Sequence, residues 1–175
     1  MSEQLSHTET SFQKKKFPII LLLDNVTGEA NIGSLFRLAD AFGIEKMIFG
    51  GTKPNLNSNR LKRTARNTHN TVDFDFAEDP EELLETFKKN NYRIISLEIT
   101  AESEPIQDLK FQDDTEKIVL VAGNERHGIS TKVLNLCSEA FHIEMFGENS
   151  SMNVAQSVGI AFYEITKSMN KFHKK

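Results

Sequence analysis

The sequence predicts an α/β fold, a mostly parallel sheet flanked by helices, and three observations lead there. Short apolar runs recur between polar or glycine breakers, amphipathic helical stripes lie between them, and the two kinds of segment alternate along the chain. The runs are Ile19 to Leu23, Met47 to Phe49, Ile94 to Leu97, Ile118 to Ala122 and Phe141 to Met145. Unbroken apolar runs this short suit strands buried on both faces, as parallel strands are.

The first helix is predicted where Ile32, Leu35, Phe36, Ala39 and Phe42 share one side of a helical period, and Gly43 stops it. Pro80 opens a second helix, with Asp79 as its N-cap and Leu83, Leu84 and Phe87 facing inward. Val154, Val158, Ala161, Ile165 and Met169 form the stripe of a long C-terminal helix. Residues 1–16, polar and aperiodic through Gln13, are expected to be a flexible N-terminal arm, leaving 17–175 as a single domain.

At 175 residues, 38% of them hydrophobic, the chain can bury a full core without disulfides or metal staples. Cys137 is the only cysteine, which excludes an intrachain disulfide and a multi-cysteine zinc or iron-sulfur site. The histidines are scattered without metal-ligand spacing, and no metal is expected. Lys14 to Lys16 followed by Phe17 to Leu23 comes nearest to a secretory signal, but Asp24 and Asn25 end the run and no small-residue cleavage site follows. No stretch approaches the roughly 20 apolar residues of a membrane span, and a cytoplasmic location is expected.

The formal charge is −4, so a polyanionic partner needs a local basic surface. One exists: Thr52 through Val72 has no acid, while Lys53, Arg60, Lys62, Arg63 and Arg66 are basic and His69 follows. Asp73 to Glu116 carries fourteen acids against four bases. A basic island beside an acidic body suits RNA binding; the alternative is an ordinary solvated charged face.

Three further stretches are rich in Gly, Asn, Ser and charge, each beside the end of a predicted strand, where ligands bind in open α/β sheets. They are Asn25 to Arg37, Ala122 to Ser130 and Ile143 to Val154. None contains GxGxxG, a Walker Gly-Lys-Ser/Thr or a Gly-x-Ser-x-Gly elbow, which counts against classical dinucleotide, phosphate-loop and hydrolase readings.

Together the three stretches resemble the motifs of the SpoU, or TrmH-type, RNA ribose 2′-O-methyltransferases of the SPOUT superfamily. Asn31 with Arg37 matches the first motif, Gly123-Asn124-Glu125 with Gly128 the second, and Ser151-Met152-Asn153-Val154 the third, in order and spacing from about Ile19 to Glu164. Arg126 stands where the family often has a small residue, Met152 replaces a frequent leucine, and Ala155 and Gln156 also depart from common choices. The resemblance implies an S-adenosylmethionine donor, methyl transfer to a ribose hydroxyl of RNA, a homodimer and a C-terminal trefoil knot.

The resemblance also implies roles. Arg37 is expected to be catalytic, either as a base or as a protonated guanidinium that grips a phosphate and stabilises oxyanion charge; we favour the second, because arginine keeps its proton in proteins. Asn31 orients Arg37 or the substrate, or is simply an N-cap for a helix beginning near Ile32. Glu125 accepts from cofactor or RNA hydroxyls, or pairs with Arg37. Asn153 completes the catalytic set, and Ser151 joins it at the mouth of the last helix, where either could instead be a cap. Gly123, Ile143, Met152, Ser151 and Leu97 are the expected cofactor contacts, although periodicity alone reads the apolar three as core. Lys53, Arg60, Lys62, Arg63 and Arg66, helped by Lys171, Lys174 and Lys175, are expected to meet RNA phosphates. With no RNA-binding domain beside it, a compact target favours tRNA over rRNA. Two other classes stay open: a SPOUT module that binds RNA without turnover, and a small-molecule enzyme using another nucleotide cofactor.

Overall fold

A computed structural model describes Leu5, Glu9, Thr10 and residues 12–113 and 115–174, with Phe172 the last side chain described. Half of the expected N-terminal arm lies outside these residues, as do Lys175 and the side chain of Lys174. Seven strands form one sheet: β1 (Phe17–Asp24), β2 (Ile44–Gly50), β3 (Phe74–Ala77), β4 (Arg93–Leu97), β5 (Glu104–Pro105), β6 (Ile118–Gly123) and β7 (Glu139–His142). Their order is β3-β2-β1-β6-β4-β7-β5, and every paired neighbour runs parallel. Four helices lie between the strands, α1 (Glu29–Ala41), α2 (Asn59–Ala65), α3 (Pro80–Lys89) and α4 (Thr131–Leu134), and α5 (Val154–Asn170) follows the last of them. The α/β class and parallel sheet are as the sequence predicts.

The apolar runs are unbroken because the central strands serve two cores. Along β1, Ile19, Leu21 and Leu23 join the core covered by α1, α2 and α5, while Ile20 and Leu22 join the one covered by α3 and α4. Leu21 and Leu22 are fully buried, one on each face, and burial of this kind contributes roughly 1.5–3 kcal/mol per side chain. In α1 the stripe Ile32, Leu35, Phe36 and Ala39 is buried. Asp79 caps α3, accepting from the N–H groups of Glu81 and Glu82 at 3.0 Å. Among the described residues no helix is long and apolar enough to cross a membrane.

The structure departs from the expectations in four places. The expected strand Phe141 to Met145 is β7, Glu139–His142, because beyond His142 no neighbouring strand pairs with it; Ile143 and Met145 turn out of the sheet. The edge strand β3 reads Phe-Asp-Phe-Ala, so Asp75 breaks any continuous apolar run, and β5 has only two residues. Helix α2, hidden in the basic island, packs on α1 through Leu61 and Ala65, and a Cβ on Gly33 would overlap Thr64 and the Leu61 carbonyl. Finally, α1 begins at Glu29 with Gly28 as its N-cap, so Asn31 lies inside the first turn and the capping alternative for it fails.

Arg93 ties the sheet together at the end of β4 remote from the strand C-termini. Its guanidinium grips Glu139 of β7 through two bonds of 2.6 and 2.7 Å, and donates to Glu116 at 3.1 Å and the Lys110 carbonyl at 2.8 Å. The Glu139 bonds raise its pKa above the ordinary value despite the opposing effect of burial, and the Glu116 bond adds to them. Arg93→Ala is expected to lower stability by about 1–3 kcal/mol, less than a fully buried pair because solvent reaches Glu139. Urea unfolding checks this; a change below about 0.5 kcal/mol contradicts it. Cys137 is a half-buried thiol packed against the core under α3 and α4, its pKa pushed up to about 12 mainly by burial.

Candidate active site

Parallel strands deliver their following loops to one sheet edge, and here the C-terminal ends of β1, β6, β4 and β7 adjoin in register: Asp24 beside Gly123, and Leu97 beside Phe141. The loops after β4, β6 and β7, with the start of α5, enclose a cleft of about 620 Å³. Its lining includes Asn31, Leu97, Gly123, Glu125, Ile143, Ser151, Met152 and Asn153, so the structure brings together eight of the expected catalytic and cofactor-contact residues. Leu97 and Ile143 pack against the core and also line the cleft.

A chain of hydrogen bonds joins the three motifs. The Asn153 amide donates to Asn31 Oδ1 at 2.9 Å, Asn31 Nδ2 donates to Glu125 Oε1 at 2.9 Å, and the Gly28 N–H donates to the same oxygen at 3.0 Å. Asn153 is at once part of this chain and the N-cap of α5, accepting from Ala155 and Gln156 N–H groups. Ser151 caps nothing and is exposed. Burial pushes the Glu125 carboxyl up, but the Asn31 bond together with N–H groups of Glu125, Gly28 and Thr27 outweighs it, holding the pKa below the usual glutamate value. The folded-state interaction is therefore fully present above the ordinary carboxylate range and is lost as pH falls through the lowered value. The Gly28 amide NMR signal is expected to titrate with a midpoint below that of a free glutamate; a midpoint at or above it contradicts the network.

Gly123 sits in a tighter place than its expected role requires. A Cβ there would overlap the Gly128 and Ile129 backbone, so its close approach is to this chain's own loop. Asn124 and Gly128 exchange backbone hydrogen bonds of 3.0 and 2.9 Å, and the Asn124 amide accepts from Arg126 and His127 and donates to the Asn25 carbonyl. Asp24, buried at the end of β1, accepts from Ser130 N–H at 2.7 Å and anchors the loop's far side.

Arg37 is not among the residues lining the cleft. It lies six residues beyond Asn31 on α1, roughly 9 Å along the axis and about 120° around it, exposed and, among the described residues, without hydrogen bond or ion pair. The alternative Glu125–Arg37 pair is therefore not formed; Asn31 and the Gly28 amide take its place. Lys53, Arg60, Lys62, Arg63 and Arg66 are all exposed, on α2 and its flanks, with Ser58 capping α2 and bonded to Glu29 of α1 at 2.6 Å. Sequence reading missed Glu98, His142 and Met145, which also line the cleft. The signal for Glu98 was its position, one residue past the apolar run ending at Leu97.

The chain is 26% identical over 167 residues to a tRNA (guanosine(18)-2′-O)-methyltransferase of Aquifex aeolicus, covering 94% of this chain and 76% of that protein. It is 29% identical over 147 residues to the 23S rRNA (guanosine-2′-O-)-methyltransferase RlmB of Neisseria meningitidis, covering 84% of this chain and 57% of that one. The crystal structure of an A. aeolicus TrmH/SpoU tRNA modifying enzyme superposes with a TM-score of 0.80 at 27% identity, over 90% of this chain and 78% of that one. Residues 18–163 match the SpoU rRNA Methylase family, and with the three motifs meeting at one cleft on this fold, the chain belongs to that family.

Proposed function

We propose that residues 17–175 form an S-adenosylmethionine-dependent RNA methyltransferase domain that modifies a ribose 2′-hydroxyl, in tRNA by preference. The observation that carries this reading is the Asn153–Asn31–Glu125 chain at the cleft, which unites three motifs distant in sequence. The A. aeolicus relative, which acts on tRNA, supports the substrate preference; the N. meningitidis relative acts on rRNA and supports the second choice. We also propose a homodimer, a cytoplasmic location and a C-terminal trefoil knot, the last supported by the insertion of β7 between β4 and β5.

The cleft suits the cofactor. Leu97, Ile143, Met145 and Met152 offer apolar surface for adenine, and Glu98 and Glu125 offer acceptors for hydroxyl and ammonium groups. Bound there, S-adenosylmethionine supplies an electrophilic methyl on a cationic sulfur. Asn153 holds Asn31, and Asn31 with the Gly28 N–H holds Glu125 in place through its Oε1. Arg37, exposed and unpaired among the described residues, grips the phosphate beside the target ribose and stabilises charge developing on the hydroxyl oxygen as the hydroxyl proton is released to solvent. The basic residues of α2 supply affinity and register.

Incubation with labelled S-adenosylmethionine and total tRNA or rRNA tests the reading: label in RNA supports it, and no label in any RNA favours the non-catalytic binder. Replacing Arg60, Arg63 and Arg66 with alanine together is expected to weaken RNA binding and reduce the log–log salt slope by about 2–3. Unchanged affinity and slope place the RNA face elsewhere.

A further inference from the structure

We propose that Glu98 binds the vicinal hydroxyls of the cofactor's ribose; this rests on the cofactor reading above and names the residue that discriminates an adenosyl ribose from its deoxy forms. Glu98 follows β4 directly and lines the cleft beside Gly123 and Gly128. Its two oxygens are held by different backbone donors: Ile99 N–H to Oε1 at 3.1 Å and Ile129 N–H to Oε2 at 3.1 Å. Among the described residues it forms no ion pair.

An ionised carboxylate has about four lone-pair sites and accepts only. Two are used, one on each oxygen, so each oxygen keeps capacity for one further donor while the plane of the group is fixed. A half-buried, oriented, acceptor-only group calls for paired O–H donors and repels phosphate or carboxylate ligands. A vicinal diol meets that requirement, one hydroxyl to each oxygen. Gly128, in the left-handed region at φ +66°, leaves the room: its Cβ would fall 2.5 Å from Glu98 Oε2. The carboxylate also links the loop after β4 to the loop after β6, so the group that reads the ribose helps shape the wall behind it.

Calorimetry compares S-adenosylhomocysteine with its 2′,3′-dideoxy analogue on the native protein, Glu98→Gln and Glu98→Asp. The native protein is expected to lose at least about tenfold in affinity for the analogue, because a site built for hydroxyls rejects a ligand lacking them. Both variants are expected to bind S-adenosylhomocysteine about as weakly as the native protein binds the analogue, with little further loss on removing the hydroxyls. A variant that merely loosens the loops weakens both ligands and keeps the analogue penalty; that result, or no penalty in the native protein, overturns the assignment. Failure of the native protein to bind S-adenosylhomocysteine at all overturns the cofactor reading beneath it.

Discussion

Arg37→Ala is expected to lower methyl transfer by at least about 100-fold, the scale of losing one charge-stabilising donor, while S-adenosylhomocysteine affinity stays within about twofold. The two readouts separate because of where Arg37 sits. It projects from the exposed side of α1, away from the cleft lining, so its removal leaves the cofactor contacts intact. Its proposed work begins only when RNA brings a phosphate and a ribose to the cleft mouth. Single-turnover kinetics with saturating RNA isolate the chemical step; unchanged turnover removes Arg37 from the reaction, and a parallel loss of cofactor binding reassigns it to structure.

Gly123→Ala is expected to act on the opposite half of the problem. The added methyl would overlap backbone atoms of Gly128 and Ile129, which no rotamer change relieves. To make room the 124–128 loop must move, breaking the mutual Asn124–Gly128 bonds and the Glu98–Ile129 bond. The cost is expected to be about 2 kcal/mol or more of stability, together with loss of measurable S-adenosylhomocysteine binding. Thermal unfolding and calorimetry check both; native stability with native affinity contradicts the packing described here.

The main elements were legible wherever local pattern and tertiary demand coincide. The β1 run and the α1, α3 and α5 stripes are strong periodic signals, and Asp79 before Pro80 marks a helix start through its own chemistry. Edge strand β3 was not legible because its Asp75 interrupts the apolar run, and its pairing with β2 is what makes it a strand. Helix α2 was hidden because only Leu61 and Ala65 of its seven residues are buried, too few to show a period. In the cleft, the motif residues were found by resemblance, but the partners that hold them depend on crossings of the chain. Neither the Asn153 bond to Asn31 nor the Glu98 bond to Ile129 follows from spacing. Gly123 was chosen for ligand approach and turned out to be fixed first by the protein's own loop.

A ribose whose 2′-oxygen carries a methyl lacks the nucleophile for alkaline strand cleavage, so the position of transferred label can be read chemically. RNA labelled by this protein from S-adenosylmethionine, then hydrolysed in alkali, is predicted to retain the label in alkali-resistant dinucleotides. Label released as mononucleotides places the methyl on a base and contradicts the account.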